Sequence, residues 1–297
     1  MFYDLNPGDK IGLVSPSRFV TKEDIARGKA YLQSLGFEVI TALHAFGKFR
    51  FMAGTAEARA EDLMMMYQDK AIKAIFATSG GDGAQYLPPL LDWRIIAKNP
   101  KPLVGLSDTT ALQNAIYTKT KQVTFTGLTL NYDFRSGTLD KCLDKSVKTI
   151  LFGNAFAYKS GKALVEGNAS GVLVGGCLSL LRNLCGTEFF PDLSGKILLI
   201  EDVEEPTYKI DLMLQQISQC KGFNKLNGII FGKFLDCTIR RKEDGNVNEV
   251  IKFFCQGLDI PVIYDFDYGH NFKRYMLPLG ARVEMNSTAK CVVKAEG

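Results

Sequence analysis

The chain has 297 residues, 46% of them hydrophobic, and its 36 basic and 32 acidic residues give a formal net charge of +4. This length and apolar content predict a globular protein of one large or two ordinary domains. The charge is small and is spread along the chain, and no run of lysine or arginine suggests a track for a phosphate backbone, which argues against a nucleic-acid partner.

The sequence has no pattern typical of a membrane span, a secretory signal or a cysteine metal site. No apolar run approaches the roughly 18 residues of a membrane span, and the N-terminus has no basic segment followed by an apolar one, as a secretory signal would. We therefore expect a cytoplasmic protein with no membrane partner. The seven cysteines are odd in number and form no CxxC pair, which argues against a metal site and against a disulfide framework. No cofactor is expected.

The first half of the chain alternates short apolar strands with helical patterns, which predicts βαβ units around a parallel sheet. Two strand-turn-helix units stand out, at 71–87 and 102–117. The elements predicted before them are a strand at 10–17, a helix at 22–35, a strand at 37–40, and a helix at 54–69 with Thr55 as its N-cap.

A polar, glycine-containing segment at 132–170 is typical of a connection between domains. We assign an N-terminal α/β domain to 1–135, a linker region to 136–168 and a C-terminal domain to 169–297. In the second half, apolar runs predict strands at 195–205, 227–234 and 261–270, helices at about 207–220 and 246–257, and closing strands in the tail.

Four features with chemical potential follow predicted strands. They are the glycine turn SGGDG at 79–83, Ser107, Glu201 and His270. Because the loops beyond the carboxyl ends of parallel strands form the functional crevice of open α/β sheets, we expect these features to lie near one another.

Ser107, in PLVGLSDTTALQNAIY, has two interpretations. Serine is a preferred N-cap, so Ser107 could simply begin a helix. Alternatively, Gly105 and the small neighbours of Ser107 permit a strained corner that exposes a nucleophilic hydroxyl, although GLSDT departs from the G-x-S-x-G pattern. If Ser107 faces a cleft, Asp108 and Thr109 are expected to begin the helix in its place.

A serine nucleophile needs a base and a third group that orients the base. The chain has two histidines, His44 and His270. His270 is expected at the end of a strand, whereas His44 has no comparable neighbour. Glu201 is predicted to be the first residue past the strand KILLI, where it could orient a histidine. The other carboxylates of EDVEE, Asp202, Glu204 and Glu205, are expected to face solvent.

The glycine turn at 79–83 has three interpretations. Its free amides could hold the oxyanion of a reacting carbonyl, with the amide of Asp108 as a second donor. It could also be a phosphate cradle or a plain tight turn. The spacing matches neither G-x-G-x-x-G nor GK[ST], which makes phosphate binding the least favoured of the three.

Several motifs occur together along nearly the whole chain: IGLVSPS, RAEDLMMMYQD, VGLSDTTAL, GGCLSLLRNLCGTEFFPDLSGKILLIEDVEEPTYKID, GIIFGKF and YGHNFKRYMLPLGARVEM. In this order they resemble the LD-carboxypeptidase family of serine peptidases, which includes the microcin-immunity peptidases. The resemblance implies a flavodoxin-like or Rossmann-like N-terminal domain. It also implies a C-terminal domain with a β-barrel-like core and flanking helices, and a homodimer.

The resemblance also implies roles for individual residues. Ser107 matches the nucleophile, Glu201 the acid and His270 the base of a Ser-His-Glu triad. The implied oxyanion hole comprises the backbone of Gly81 or Asp82 and of Asp108, and the implied substrate contacts are Ser79 and Gly80.

The implied activity is that of a serine carboxypeptidase in peptidoglycan recycling. It would hydrolyse the L,D-amide bond at the C-terminus of a murein tetrapeptide and release D-alanine through an acyl-enzyme. Two alternatives stay open: an immunity-type peptidase that cleaves the amide of a peptidyl-nucleotide antibiotic, and a non-catalytic protein that binds a small ligand in the same cleft.

This chain departs from the family pattern at positions expected to contact substrate. Ser79 and Asp82 stand in SGGDG where many members have RGGYG. Leu212 stands where YxIDR would supply arginine, and Cys177 replaces the asparagine often seen in GGNLS. The three triad positions match, so the departures concern the substrate more than the chemistry.

Overall fold

The structure is a computed structural model that describes residues 3–288 and 290–295. Strands and helices alternate regularly through the first half of the chain. In order they are β1 (Lys10–Val14), α1 (Lys22–Ser34), β2 (Glu38–Thr41), α2 (Ala56–Gln68), β3 (Ile72–Ala77), α3 (Trp93–Lys98), β4 (Leu103–Gly105), α4 (Thr110–Thr120) and β5 (Thr124–Thr126).

The second half of the chain contains more strands than helices. In order the elements are α5 (Lys141–Leu151), β6 (Phe156–Lys159), β7 (Lys162–Val165), β8 (Gly167–Cys177), α6 (Leu178–Arg182), β9 (Lys196–Val203), α7 (Thr207–Ser218), β10 (Gly228–Leu235), α8 (Val247–Phe254), β11 (Val262–Tyr264), β12 (Leu277–Leu279), β13 (Arg282–Ser287) and β14 (Val292–Ala295).

Local capping explains where the first helices begin. Thr55 accepts a hydrogen bond from the Ala58 N–H at 3.3 Å, which confirms it as the N-cap of α2. Helix α1 begins with a capping box, in which Thr21 accepts from the Asp24 N–H and the Asp24 carboxylate accepts from the Thr21 N–H. These side chains satisfy backbone donors that a helix N-terminus otherwise leaves unpaired.

The first sheet has the strand order β12-β5-β4-β3-β1-β2, in which β1 to β5 are parallel and β12 is antiparallel to β5. This arrangement confirms the predicted βαβ units. The helix expected after the glycine turn is wrong, because the chain forms two 3₁₀ turns there, Ala84–Tyr86 and Pro88–Leu90. Consecutive prolines at 88 and 89 remove the amide donors that a longer helix would need.

The second sheet has the order β6-β14-β13-β8-β9-β10-β11-β7. Strands β8 to β11 are parallel and are connected through α6, α7 and α8, so βα units continue into this half. The remaining strands pair antiparallel at the two edges. The mixed α/β class is confirmed. Within the described residues the sheet is open, with β6 and β7 at its ends.

One hydrophobic core joins the two sheets. It contains Leu13 of β1 and Phe125 of β5 together with Leu173 of β8 and Ile197 of β9, and all four side chains are fully buried. Residues 136–168 hold α5, β6 and β7, and α5 buries its apolar face in the same core. The carboxyl ends of β4 and β9 are therefore fixed relative to each other by a shared apolar interior.

All seven cysteines are free thiols. Cys177, Cys255 and Cys291 are buried, and the other four are partly buried. In the part of the chain that the structure describes, no helix has both the length and the apolar character needed to cross a membrane.

Candidate active site

Ser107 occupies a sharp corner between β4 and α4. Its φ of 66° lies in the left-handed region, whereas Leu106 before it is extended, with φ −152° and ψ 162°. A left-handed serine costs of the order of 1–3 kcal/mol and persists only where the surroundings enforce it. Ser107 is partly exposed, while Leu106 and Asp108 on either side are buried. The corner thus presents the serine side chain beyond the end of β4.

Thr109 occupies the N-cap position of α4, so the expectation that the helix begins at the residues after Ser107 holds for position but not for side-chain capping. Neither side chain caps α4. Instead, Asp108 Oδ2 accepts a hydrogen bond of 2.7 Å from the N–H of Ala84, directly after the glycine turn. Burial raises the pKa of Asp108 to about 6, although the Ser17 hydroxyl and the Ala84 N–H lower it. Asp108 therefore ties the serine corner to the glycine turn.

The glycine turn packs directly against Ser107. A Cβ placed on Gly80 would lie 2.9 Å from Ser107 Cβ and 3.3 Å from Ser107 Oγ, so a side chain at this position would displace the serine. Gly81 and Gly83 have φ of 109° and 118°, which favour glycine. Arg59, itself buried, donates from Nη1 to Gly83 O at 2.9 Å and holds the end of the turn.

The implied oxyanion donors and substrate contacts lie on these two neighbouring segments. Asp82 is exposed at the tip of the turn, whereas Ser79 is buried. The amides of Gly81 and Asp82 come from the turn, and the amide of Asp108 follows the serine corner. The geometry is compatible with donors that approach one carbonyl oxygen from two segments.

Glu201 and His270 form the second half of the site. His270 Nδ1 and Glu201 Oε2 lie 2.8 Å apart. The Glu201 side chain is 0% exposed and that of His270 is 14% exposed. Two glycines make room for the carboxylate: a Cβ on Gly269 would lie 2.7 Å from Glu201 Oε2, and one on Gly232 would lie 3.1 Å from Glu201 Cβ.

Both residues lie elsewhere along their elements than predicted. Glu201 is inside β9, not the first residue past it, because pairing with β10 continues to Val203. His270 is not at a strand end, since β11 already ends at Tyr264. The segment after β11 returns to the sheet, and Tyr268 O accepts from the Lys233 N–H at 2.7 Å.

The Glu201 carboxylate raises the pKa of His270. Burial lowers the pKa of His270, and the charge and hydrogen bond of Glu201 raise it by more, so the net pKa lies above its ordinary value. Arg274 opposes this increase. Because Nδ1 faces Glu201, Nε2 is the ring nitrogen left for a second partner.

Asp202 was expected to face solvent, and this expectation is wrong. It is 1% exposed, and its carboxylate accepts from the N–H groups of Ser179 and Val203, each at 2.9 Å. Burial and the adjacent Glu201 raise the pKa of Asp202 to about 6. Its hydrogen bonds fix the start of α6 to β9.

One chain of contacts connects the serine corner to the histidine segment. Gly105, two residues before Ser107, pairs with Thr126 of β5. The Thr126 and Tyr268 hydroxyl groups are 2.7 Å apart and buried. Tyr268 precedes His270 by two residues, so this bond holds the histidine segment beside the sheet edge that carries Ser107.

A second connection joins the serine corner to the glutamate. Thr110 begins α4 just after Ser107, and its Oγ1 accepts from the Cys177 N–H at 3.1 Å. Cys177 is the register partner of Glu201 between β8 and β9. The two connections tie the segments that carry all three predicted triad residues to one another, between the two sheets.

Arg274 has a role that the sequence did not suggest. Its side chain is fully buried and ion-pairs with Asp133. It also donates to Gly127 O at 2.8 Å and to Asn271 O at 2.7 Å. Arg274 therefore anchors the residues after His270 to the loop that follows β5. Its place in the motif YGHNFKRYM was the only signal for it.

The expectation for His44 is also wrong, because it does have a carboxylate partner. Its Nδ1 lies 2.9 Å from Oδ1 of buried Asp62. However, His44 follows β2, and two strands separate β2 from β4 in the first sheet. At about 4.8 Å per strand, the end of β2 is about 14 Å from the end of β4, which carries Ser107.

The remaining departures from the family pattern differ in position. Cys177 is buried, and its Sγ donates to Asp202 Oδ1 at 3.4 Å. Leu212 lies on α7 with 62% of its surface exposed. Cys177 thus belongs to the support of β9, whereas Leu212 faces away from the core.

Comparison with known proteins agrees with this geometry. Residues 11–127 match the family model of the LD-carboxypeptidase N-terminal domain, and residues 170–285 match that of the LD-carboxypeptidase C-terminal domain. The probable murein peptide carboxypeptidase of Bacillus subtilis (strain 168) is 31% identical, covering 99% of this chain and 93% of that protein. The chain belongs to the LD-carboxypeptidase family.

Two other proteins are similar over more than nine-tenths of the chain. The microcin C7 self-immunity protein MccF of Escherichia coli is 31% identical, covering 94% of this chain and 91% of that protein. The crystal structure of muramoyltetrapeptide carboxypeptidase from Oxalobacter formigenes superposes with a TM-score of 0.89 at 26% identity, covering 97% of this chain and 99% of that one. Membership of the LD-carboxypeptidase family makes the protein a peptidase.

Proposed function

We propose that this protein is a serine carboxypeptidase that cleaves the amide bond next to the C-terminal carboxylate of a murein tetrapeptide and releases D-alanine. The observation that carries the proposal is the 2.8 Å contact between His270 Nδ1 and Glu201 Oε2, on segments that hydrogen bonds tie to the corner with the left-handed Ser107. An orienting acid, a base and a hydroxyl at a strained corner are the parts that serine hydrolysis needs.

Each residue then has a defined step. His270 Nε2 takes the proton of Ser107 Oγ as the oxygen attacks the scissile carbonyl carbon. The amides of Gly81 or Asp82 and of Asp108 hold the oxyanion. His270 returns the proton to the leaving nitrogen, and D-alanine departs. A water molecule, activated by the same nitrogen, hydrolyses the acyl-enzyme, while the Glu201 carboxylate stabilises the imidazolium.

The direct test is release of D-alanine from murein tetrapeptide. Wild-type protein should release stoichiometric D-alanine, and Ser107→Ala should lower kcat by at least about 10³-fold, because no other oxygen replaces the nucleophile. Ser179→Ala is a matched control, since this serine contacts Asp202 and lies outside the proposed triad. Equal turnover by Ser107→Ala and wild type would refute the proposed nucleophile.

A second substrate is favoured by one comparison. MccF is as similar in identity to this chain as the Bacillus subtilis relative is, and Ser79 and Asp82 alter the turn that would contact substrate. An immunity-type peptidase would cleave an aminoacyl or peptidyl amide of a nucleotide. Measuring kcat/KM for both substrates with one protein preparation decides between them, since the higher value identifies the preferred class.

A further inference from the structure

A carboxypeptidase must distinguish a peptide end from an internal peptide bond. The substrate's terminal carboxylate carbon is separated from the scissile carbonyl carbon by one nitrogen and one α-carbon, so the two carbons lie within about 4 Å. The scissile oxygen is expected at the amides of the glycine turn. A cation that reads the carboxylate must therefore lie within one side chain's reach of that turn.

Three arginines contact the glycine turn or the segment after His270, and two of them are already engaged. Arg59 is 2% exposed and donates to backbone carbonyls, including Gly83 O at 2.9 Å. Arg274 is 0% exposed and ion-pairs with Asp133. Neither guanidinium can turn to a ligand without abandoning buried partners.

Arg18 differs from the other two arginines. It is exposed, and within residues 3–288 and 290–295 it has no ion-pair partner. It follows β1, whose carboxyl end adjoins that of β3 and its glycine turn. Its positive charge is therefore available at the edge of the sheet that carries the candidate site.

The aliphatic stem of Arg18 lies across the glycine turn. A Cβ placed on Gly81 would lie 2.7 Å from Arg18 Cβ and 2.9 Å from both Cγ and Cδ. The Arg18 N–H also donates to Gly80 O at 3.4 Å, and Arg18 forms a β-bridge with Met52 on its other side. The backbone and stem are thus held against the turn, and the charged end remains exposed.

The glycine turn itself carries the wrong charge for an anionic substrate. Ser79 is neutral and buried, and Asp82 is an exposed carboxylate with no ion-pair partner in the described part of the chain. A substrate carboxylate beside Asp82 would be repelled unless a cation lay next to it. A guanidinium can bind both carboxylate oxygens at once, which a lysine cannot do in the same geometry.

We propose that Arg18, in the segment that follows β1 beside the glycine turn, binds the C-terminal carboxylate of the substrate and thereby selects peptide ends. The inference rests on the proposed function, because it uses Ser107 as the nucleophile and the glycine turn as the oxyanion hole. It adds to the site a specificity residue from a different segment of the chain.

Binding tests the proposal without turnover. Ser107→Ala protein is titrated calorimetrically with murein tetrapeptide and with the same peptide carrying a C-terminal carboxamide. The acid should bind about 10- to 100-fold more tightly than the amide, and adding Arg18→Ala should abolish that difference. Arg18→Lys should restore part of it. Lys48→Ala is the matched control, because it removes another exposed cation close to Arg18. The Lys48 Nζ lies 4.3 Å from the ring of Phe19, the residue after Arg18, and its loss should preserve the preference for the acid over the amide.

Kinetics with Ser107 intact separates this proposal from the proposed function. Arg18→Ala should raise KM for the acid by about 10- to 100-fold with little change in kcat, and labelling of Ser107 by a fluorophosphonate should be unchanged. If wild type hydrolyses the peptide and Arg18→Ala has the same KM, the role of Arg18 is refuted and the proposed function stands. If wild type is inert, the proposed function fails. The binding assay then tests Arg18 by itself. The role of Arg18 is refuted if the protein does not prefer the acid to the amide, or if Arg18→Ala keeps that preference.

Discussion

At the scale of single residues, the candidate site depends on its glycines as much as on its polar side chains. Gly80 lies so close to Ser107 that an added methyl group would contact the serine Cβ at 2.9 Å, and a Cβ on Gly269 would lie 2.7 Å from the Glu201 carboxylate. The small residues of SGGDG and YGH therefore follow from the need to pack backbone directly against the reacting groups.

The ionisation of His270 follows from its contact with Glu201. Since its folded pKa lies above the ordinary value of about 6.5, the ring stays protonated to a higher pH than a free histidine. A protonated imidazole cannot accept the Ser107 proton. The value of kcat/KM should therefore fall as the pH decreases through this raised pKa.

Replacing Glu201 tests the direction of that shift. Glu201→Gln removes the negative charge that raises the His270 pKa, so the acid limb of the kcat/KM profile should move to lower pH. At the optimum, kcat should fall by about 10³- to 10⁴-fold, by analogy with the loss of the acid in other triads. The measurement is a pH-rate profile of tetrapeptide hydrolysis from pH 5 to 9.

Asp202→Asn provides the comparison for this experiment. Asp202 is buried next to Glu201 and raises the His270 pKa less than Glu201 does. Its replacement should move the acid limb by less than Glu201→Gln does. An acid limb that stays in place in Glu201→Gln would contradict the assignment of Glu201 as the partner of the proposed catalytic histidine.

The sequence predicted four polar features at strand ends, and the structure places only the glycine turn and Ser107 there. Ser107, Glu201 and His270 were chosen because apolar runs precede them. The contact between His44 and Asp62 joins separate elements, and neither it nor the burial of Asp202 has a periodic signature. The sequence does not single out Arg18, because an exposed arginine after a strand is common and only the structure shows its stem across Gly81.

At the scale of elements, α4 is clamped to β8 by one side chain. Asn114 Nδ2 donates to Gly175 O at 2.8 Å, and Gly175 N–H donates to Asn114 Oδ1 at 3.0 Å. All of these atoms are buried. The clamp fixes α4, which begins just after Ser107, to β8, which pairs with the strand that carries Glu201. A side chain of one half of the site is therefore bonded to the backbone of the other half.

Asn114→Ala should therefore cost stability. It leaves a buried N–H and a buried carbonyl of Gly175 without partners, each worth about 1–3 kcal/mol, so we expect a loss of about 2–5 kcal/mol in the free energy of unfolding. Urea denaturation measures this change. Asn183→Ala, which removes an exposed side-chain bond to Gln85, should change stability by less than about 0.5 kcal/mol. Similar losses in the two variants would contradict the clamp.

Elements with strong apolar periodicity could be predicted, and those defined by tertiary pairing could not. The helices α1, α2, α4, α7 and α8 coincide with their predicted ranges to within a few residues. Strands β6 and β7 lie in a polar segment and become strands because β14 and β11 pair with them. The apolar spacing after the glycine turn predicts a helix, but the consecutive prolines at 88 and 89 limit the chain to 3₁₀ turns there.

At the scale of the whole molecule, the site requires both sheets. Ser107 and the glycine turn follow strands of the first sheet, whereas Glu201 lies in the second. The chain then returns, so that β12 joins the first sheet just after the segment with His270. A shared core fixes the two sheets, and neither half contains the proposed catalytic residues alone.

The order of short motifs carried the prediction at this scale. Each motif is weak alone, yet together they predicted the family, which the two domain matches at 11–127 and 170–285 confirm. The mixed α/β class was also predictable, since apolar runs alternate with helical patterns. The open order of the second sheet was not, because strand pairing over long sequence separations leaves no local signal.

The most direct test of the central claim is covalent labelling of the proposed nucleophile. Wild-type protein is treated with a fluorophosphonate, and the modified residue is located by peptide mass spectrometry. The account predicts one adduct, on Ser107, which is absent in Ser107→Ala and at least about 10²-fold slower to form in His270→Ala. Labelling at another residue, labelling of Ser107 at an undiminished rate in His270→Ala, or an inert wild-type protein that only binds peptide would contradict the proposed triad.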